Sequence, residues 1–229
     1  MDLGINTDAV CTIMRPDGTI LGRKFINFPS DKDRMYRVLG RIRRFQREHG
    51  SRQVQGRWAY AKRLNTELGK KIAREIVFYA SENRADVIVF EYLEMKGKLS
   101  GKKKQKLQMW RKRDIQKRCG QQAHRKGIRI SRICAWNTSR LAFDGSGKID
   151  RDIQDHRLCT FQNGKRYNCD LSASYNIGAR YFIREILKPL PATERSLLEA
   201  KVPAVKRRTS CVYADLRDLI SEMELRKAA

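Results

Sequence analysis

Three acids stand at places where a carboxylate must be compensated or used. Glu91 directly follows the apolar run Val87-Ile88-Val89-Phe90, so its charge falls at the lip of a core and needs a cation or hydrogen bonds to offset desolvation. Asp2 lies beside the first strand-like stretch and Asp170 opens a late helix, where the helix dipole favours an ionised group. Carboxylates are the ligands that Mg2+ prefers. Two such ions about 3.5–4 Å apart can stabilise both the attacking and the leaving oxygen of a phosphodiester. On residue type alone a plainer alternative stands beside this one, since any strand can end in Glu.

The elements that must position these acids are legible as periodicities. AVCTIM and TILGRKFINF flank an Arg-Pro-Asp-Gly turn, the pattern of a hairpin over Ala9 to Phe28. Met35, Val38, Leu39, Ile42 and Phe45 mark an amphipathic helix, and after a break from Gly50 to Gly56 so do Leu64, Leu68, Ile72, Ile76 and Tyr79. The run 87–90 reads as a central strand covered on both faces. A basic helix is expected over roughly 105–126 with Gly127 as its stop, followed by a strand within IRISRICAW. Residues 138–169 are short, polar and turn-rich, and read as an irregular inserted hairpin. Leu171, Tyr175, Gly178, Phe182 and Ile186 mark a helix that Pro189 and Pro191 end. A final amphipathic helix around Tyr213–Met223 forms a tail with no evident docking partner. The order describes an α/β fold, a mixed sheet flanked by helices.

The 229 residues carry 50 Lys and Arg against 25 Asp and Glu, a formal charge of +25. Residues 34–71 contribute +10 and residues 96–132 contribute +14, so the remainder is nearly neutral. Such localised bases, with Trp58 and Trp110 among them, are what a polyanion-binding surface requires. Arg41, Arg43, Arg44 and Arg57 in the first segment, and Lys102, Lys103, Lys104, Lys106, Arg111 and Arg113 in the second, are the expected nucleic-acid contacts. Binding to DNA and RNA should be salt-sensitive with little sequence preference. An ordinary small-molecule enzyme is not the default at this charge, and a 41% hydrophobic content argues against a disordered basic tail. No apolar run approaches the roughly 20 residues of a membrane span, and MDLGINTD carries acids where a signal peptide carries bases. A cytoplasmic protein with no membrane partner is expected. The six cysteines contain no C-x-x-C pair and read as free thiols. His49, His124 and His156 sit in polar or basic surroundings and read as surface residues. Lys165 and Arg166, just before Asp170, are within reach of a bound phosphate or simply cap an exposed hairpin tip.

DLGIN at 2–6, VIVFEYL at 87–93 and CDLSASYNIGAR at 169–180 resemble, in order and spacing, the three RuvC motifs of the transposon-encoded TnpB/OrfB nucleases and the related type V CRISPR effectors. The resemblance implies an RNase H-like core built from 1–137 and 169–190, interrupted by an insert at 138–168 and followed by a helical tail at 191–229. It implies that Asp2, Glu91 and Asp170 form a triad holding two Mg2+ or Mn2+ ions in an RNA-guided DNA endonuclease, with DNA and a guide RNA as partners. In the family the insert is a zinc ribbon. Here the positions matching its ligands are Ala142, Gly145, Thr160 and Asn163, so a ribbon-like hairpin without zinc is expected. The usual Asn-Ala-Ala of the third motif reads Ser172-Ala173-Ser174, while Asn176 and Ile177 match. Family members also carry strand residues and a guide-gripping half ahead of the first Asp, so the chain reads as the nuclease-bearing C-terminal piece of a longer protein, or one completed by a partner chain. Asp2 is then expected to fray and the chain alone to cleave weakly. A non-catalytic nucleic-acid-binding remnant or regulator is the alternative.

Overall fold

In the computed structural model, residues 1–4, 7–50, 54–92, 111–207 and 209–228 are described. Strands β1 (Ala9–Met14) and β2 (Ile20–Ile26) form the expected antiparallel hairpin, Ala9 opposite Ile26 and Ile13 opposite Gly22. Gly18 takes a φ of 81° in the turn, a left-handed conformation that glycine adopts without a Cβ clash. Strand β3 (Val87–Tyr92) pairs in parallel with β4 (Arg129–Cys134), Val87 opposite Arg129 through Tyr92 opposite Cys134. On one face of β3 Phe90 is fully buried and Ile88 nearly so, while on the other Val87 and Val89 are half-buried against Ile133, Ile177 and Tyr181.

The first residues join these two pairs. Asp2 exchanges two backbone hydrogen bonds of 2.9 Å with Val10, and the Met1 nitrogen donates to the Val89 carbonyl at 3.0 Å. Met1–Leu3 thus links the two strand pairs, through the Asp2–Val10 bridge on the β1 side and the Met1 ammonium on the β3 side. Met1, Asp2 and Leu3 are 8, 8 and 2% exposed. The expectation of a fraying Asp2 is corrected: backbone bonds to strands on both sides and the burial of Leu3 tie it down.

Helices α1 (Pro29–His49) and α2 (Gln55–Glu82) follow as a helical hairpin. Met35, Leu39 and Ile42 of α1 pack on Ala61, with Trp58 and Leu64 half-buried against them, so Trp58 is a packing residue in this state. The inner part of α2, through Ile72, Ile76 and Val77, covers the sheet together with Ile115 and Cys119 of α3 (Lys112–His124). Of the expected basic helix, α3 is described from Lys112, after Arg111 with φ of 44°, and residues 105–110, Trp110 among them, lie outside the described residues. Gly127 does follow its end with φ of 70°.

The insert forms a three-stranded antiparallel sheet, β5 (Asp150–Arg151), β6 (Leu158–Thr160) and β7 (Arg166–Asn168). Its own small core holds it together: Ala142, Cys159, Phe161 and Cys169, with Phe143, Ile149 and Tyr167 around them. The Phe143 ring contacts Tyr167 at 5.0 Å, Tyr175 at 5.2 Å and Phe161 at 5.6 Å between centroids. Ala142, one of the positions where no zinc ligand was expected, is fully buried there, while Thr160 and Asn163 are exposed.

Helix α4 (Cys169–Leu187) is the hub. Asn168 caps it by accepting from the Leu171 N–H at 2.9 Å. Beyond the predicted Pro189–Pro191 stop lie α5 (Ala192–Lys201), a 3-10 turn (Pro203–Lys206) and α6 (Tyr213–Ala228). This tail is not loosely attached. Leu198, Val205, Leu216 and Leu219 are buried against Ala179, Ile183 and Leu187 of α4. Leu216→Ala is accordingly expected to cost about 3 kcal/mol in urea unfolding; an unchanged midpoint would mean that the tail does not contribute to the cooperative fold.

Candidate functional site

The three acids predicted from sequence reach the same end of the sheet from three elements. Asp2 comes from the Met1–Leu3 segment and Glu91 from the C-terminal part of β3, 8 and 6% exposed. Asp170, half-buried, sits in the first turn of α4. Asp2 responds to both others. Burial, then the Glu91 carboxylate, then that of Asp170 push its carboxyl up to about 7, because like charges in a poorly solvated place disfavour a further ionisation. Burial also raises Asp170, while the Arg151 guanidinium and a hydrogen bond from the Thr7 hydroxyl oppose it.

Glu91 is held by groups that the sequence did not flag. Lys112 Nζ lies 2.9 Å from its Oε2, an ion pair with both side chains under 10% exposed. The Thr138 hydroxyl donates to Oε1. Asn176, fully buried, donates from Nδ2 to the Thr138 carbonyl at 3.0 Å and the Leu141 carbonyl at 2.9 Å, and accepts from the Tyr213 N–H at 3.1 Å. It thereby fixes the loop that carries Thr138. Gln116 Nε2 donates to the Glu91 carbonyl at 3.0 Å. Buried Arg180 donates to the carbonyls of Cys211 at 2.8 Å, Cys134 at 3.0 Å and Trp136 at 2.7 Å, so it pins the end of β4 to the start of α6. Lys112 was hidden inside a run of fifteen bases. Only its placement at the first position of α3, facing the end of β3, separates it from solvated neighbours.

Two observations bear on whether these residues suit a divalent cation. The donor chemistry fits: carboxylates close enough to raise the proton affinity of Asp2 are the arrangement that a cation relieves. Their gathering is partial, for among the described residues no three His, Cys, Asp or Glu side chains come together closely enough to hold an ion. A lysine ammonium, that of Lys112, is ion-paired with Glu91.

The fold itself has a solved counterpart. It resembles that of a chain in the cryo-EM structure of the Cas12f1-sgRNA-target DNA complex, with a TM-score of 0.58 at 19% sequence identity. The likeness covers 76% of this chain and 47% of that one, so this chain spans about half of the Cas12f1 chain. No protein-family profile matches the sequence, and no curated protein matches it. At such identity the shared property is the α/β fold with its flanking helices.

Beyond the fold shared with the Cas12f1 chain, the bases expected to bind nucleic acid divide into three groups. Arg41, Arg43 and Arg44 on α1, Arg57 on α2 and Arg113 on α3 are exposed. Arg111 is half-buried and donates from Nη1 to the Thr66 hydroxyl at 2.7 Å, so it ties α3 to α2. Lys102, Lys103, Lys104 and Lys106 lie outside the described residues. Of the remaining polar residues singled out from sequence, His49 stacks on Phe45 with centroids 4.2 Å apart, and His124 and His156 are exposed. Lys165 lies over the Phe143 ring at 4.8 Å, and Arg166 pairs with Asp152 at 3.2 Å. Neither base is directed by an ion pair toward Asp170. No helix among the described residues is long and apolar enough to cross a membrane.

Proposed function

We propose that this chain is a RuvC-type, divalent-metal-dependent DNA endonuclease domain with an RNase H-like core, of the kind carried by TnpB/OrfB and type V effectors. The observation that carries this reading is the crowding of Asp2 by Glu91 and Asp170 across a mixed sheet, on elements that bear three motifs in family order. Mg2+ or Mn2+ bound by Asp2, Glu91 and Asp170 would supply Lewis-acid stabilisation of phosphodiester oxygens. The chain's own residues hold the carboxylates in place: the Val10 backbone fixes Asp2, the Asn168 cap fixes the first turn around Asp170, and Thr138 with Asn176 fixes Glu91. DNA is the substrate and a guide RNA the specificity partner, with base pairing supplying sequence choice while arginines hold backbones. A cytoplasmic location belongs to the same reading, as does a guide-gripping lobe supplied by further sequence or a partner chain.

The test is cleavage of labelled single-stranded and duplex DNA with Mg2+ or Mn2+, against an EDTA control, together with calorimetric titration of the metal alone. Divalent-dependent cutting with saturable metal binding is expected. A second reading, a nucleic-acid-binding remnant or regulator, is favoured by one observation: Lys112 and Thr138 engage both oxygens of Glu91. It predicts nucleic-acid binding with neither metal uptake nor cutting.

A further inference from the structure

We propose that the α1–α2 hairpin carries a subsite for one nucleotide of a single-stranded nucleic acid, with Tyr60 as the stacking plate and Arg41 and Arg57 as the phosphate clamp. The inference deepens the nucleic-acid reading above and rests on it for the class of ligand, but not on any catalytic role.

Tyr60 is 36% exposed and stands among arginines. Arg34 Nη2 donates to its hydroxyl at 2.7 Å, and the guanidinium groups of Arg34 and Arg63 lie 6.0 and 5.9 Å from its ring centroid. Beside it opens a cavity of about 290 Å3 lined by Val38, Arg41, Ile42, Gly56, Arg57 and Tyr60. That is close to the lower end of small-ligand sites, about 300 Å3, and suits a single nucleotide unit better than a large cofactor. The floor is apolar and the rim cationic. At Gly56 a Cβ would meet nothing within 4 Å among the described residues. Arg57 is braced with its guanidinium 4.0 Å over the Phe45 ring, which holds a planar donor fork in place without neutralising it.

The charge pattern of the hairpin points the same way. Its lysines nearest the sheet are matched to acids, Lys71 to Asp31 at 2.7 Å and Lys32 to Asp8 at 3.0 Å. By contrast Arg34, Arg41, Arg57 and Arg63 have no carboxylate within 4 Å among the described residues. A guanidinium presents a fork that fits phosphate bidentately, and an aromatic face among such groups accepts any base by stacking. A duplex offers phosphates but no unstacked base, so the aromatic plate selects a single strand.

The experiment measures fluorescence anisotropy of a labelled oligonucleotide in EDTA, where no cutting can occur. Failure here is thereby separated from failure of the nuclease reading. Tyr60→Leu should weaken single-strand binding about tenfold, leave duplex binding nearly unchanged, and have no effect on a strand whose bases are replaced by abasic sites. Tyr60→Phe should bind like the parent. Arg41→Gln and Arg57→Gln should each lower the dependence of log affinity on log salt by about one ion. Circular dichroism of each variant confirms folding. Equal losses on single strand, duplex and abasic strand, or no loss at all, would overturn the subsite.

Discussion

Asp170→Ala is expected to lower divalent-dependent DNA cleavage by on the order of 10³-fold, about 4 kcal/mol of barrier, while leaving the protein at least as stable as the parent. The stability half follows from the same burial that raises the Asp170 carboxyl: a charge that the fold disfavours costs nothing to remove. Asp2 makes the sign explicit. Its carboxyl titrates near 7 when folded against an ordinary 3.8, so between those values the folded state retains a proton that the unfolded chain has lost. Stability must therefore fall as pH rises from about 4 to about 7, by roughly 4 kcal/mol for a three-unit difference. Asp2→Asn should remove that slope, gaining most at pH 8 and little at pH 4, in urea titrations run with EDTA. Millimolar Mg2+ should flatten the slope for the parent but not for Asp2→Asn. Asp170→Ala that cuts DNA at the parental rate would remove the acids from the chemistry.

Much of this arrangement was legible in the residue order. The hairpin, the two long helices, the buried 87–90 run and the capped late helix follow from hydrophobic period and turn residues, which are local signals. What escaped were partnerships between distant residues. Nothing near position 2 announces that Met1–Leu3 will lie between Val10 and Val89; it depends on main-chain groups, which every residue carries. The amphipathic period of the tail left its docking open, since a period names a buried face but not its partner, and Leu198, Leu216 and Leu219 pack on α4. The short, polar, turn-rich character of the insert was visible. Its small core of Phe143, Phe161 and Tyr167 was not, because those residues are spread over two turns and a strand and carry no period.

Lys112 is the sharpest case of a role hidden by composition, and its removal gives the second large effect. Lys112→Met should destabilise the protein by about 3–5 kcal/mol in EDTA, the range for breaking one half of a buried ion pair, because the buried Glu91 carboxylate loses the ammonium bonded to its Oε2. Glu91→Gln combined with Lys112→Met should recover most of that loss, since no charge then remains to compensate. If Glu91 helps to hold a divalent ion as proposed, that ion and the Lys112 ammonium, 2.9 Å from Oε2, would compete for one carboxylate. Ca2+ or Mg2+ should therefore stabilise Lys112→Met more than the parent, with the excess growing with ion concentration as binding linkage requires. If Lys112→Met unfolds at the parental urea midpoint in EDTA, the pair carries no net electrostatic weight. If it is destabilised but divalent ions restore nothing, Lys112 is a structural counter-ion, and Glu91 is not available to a metal in this fold.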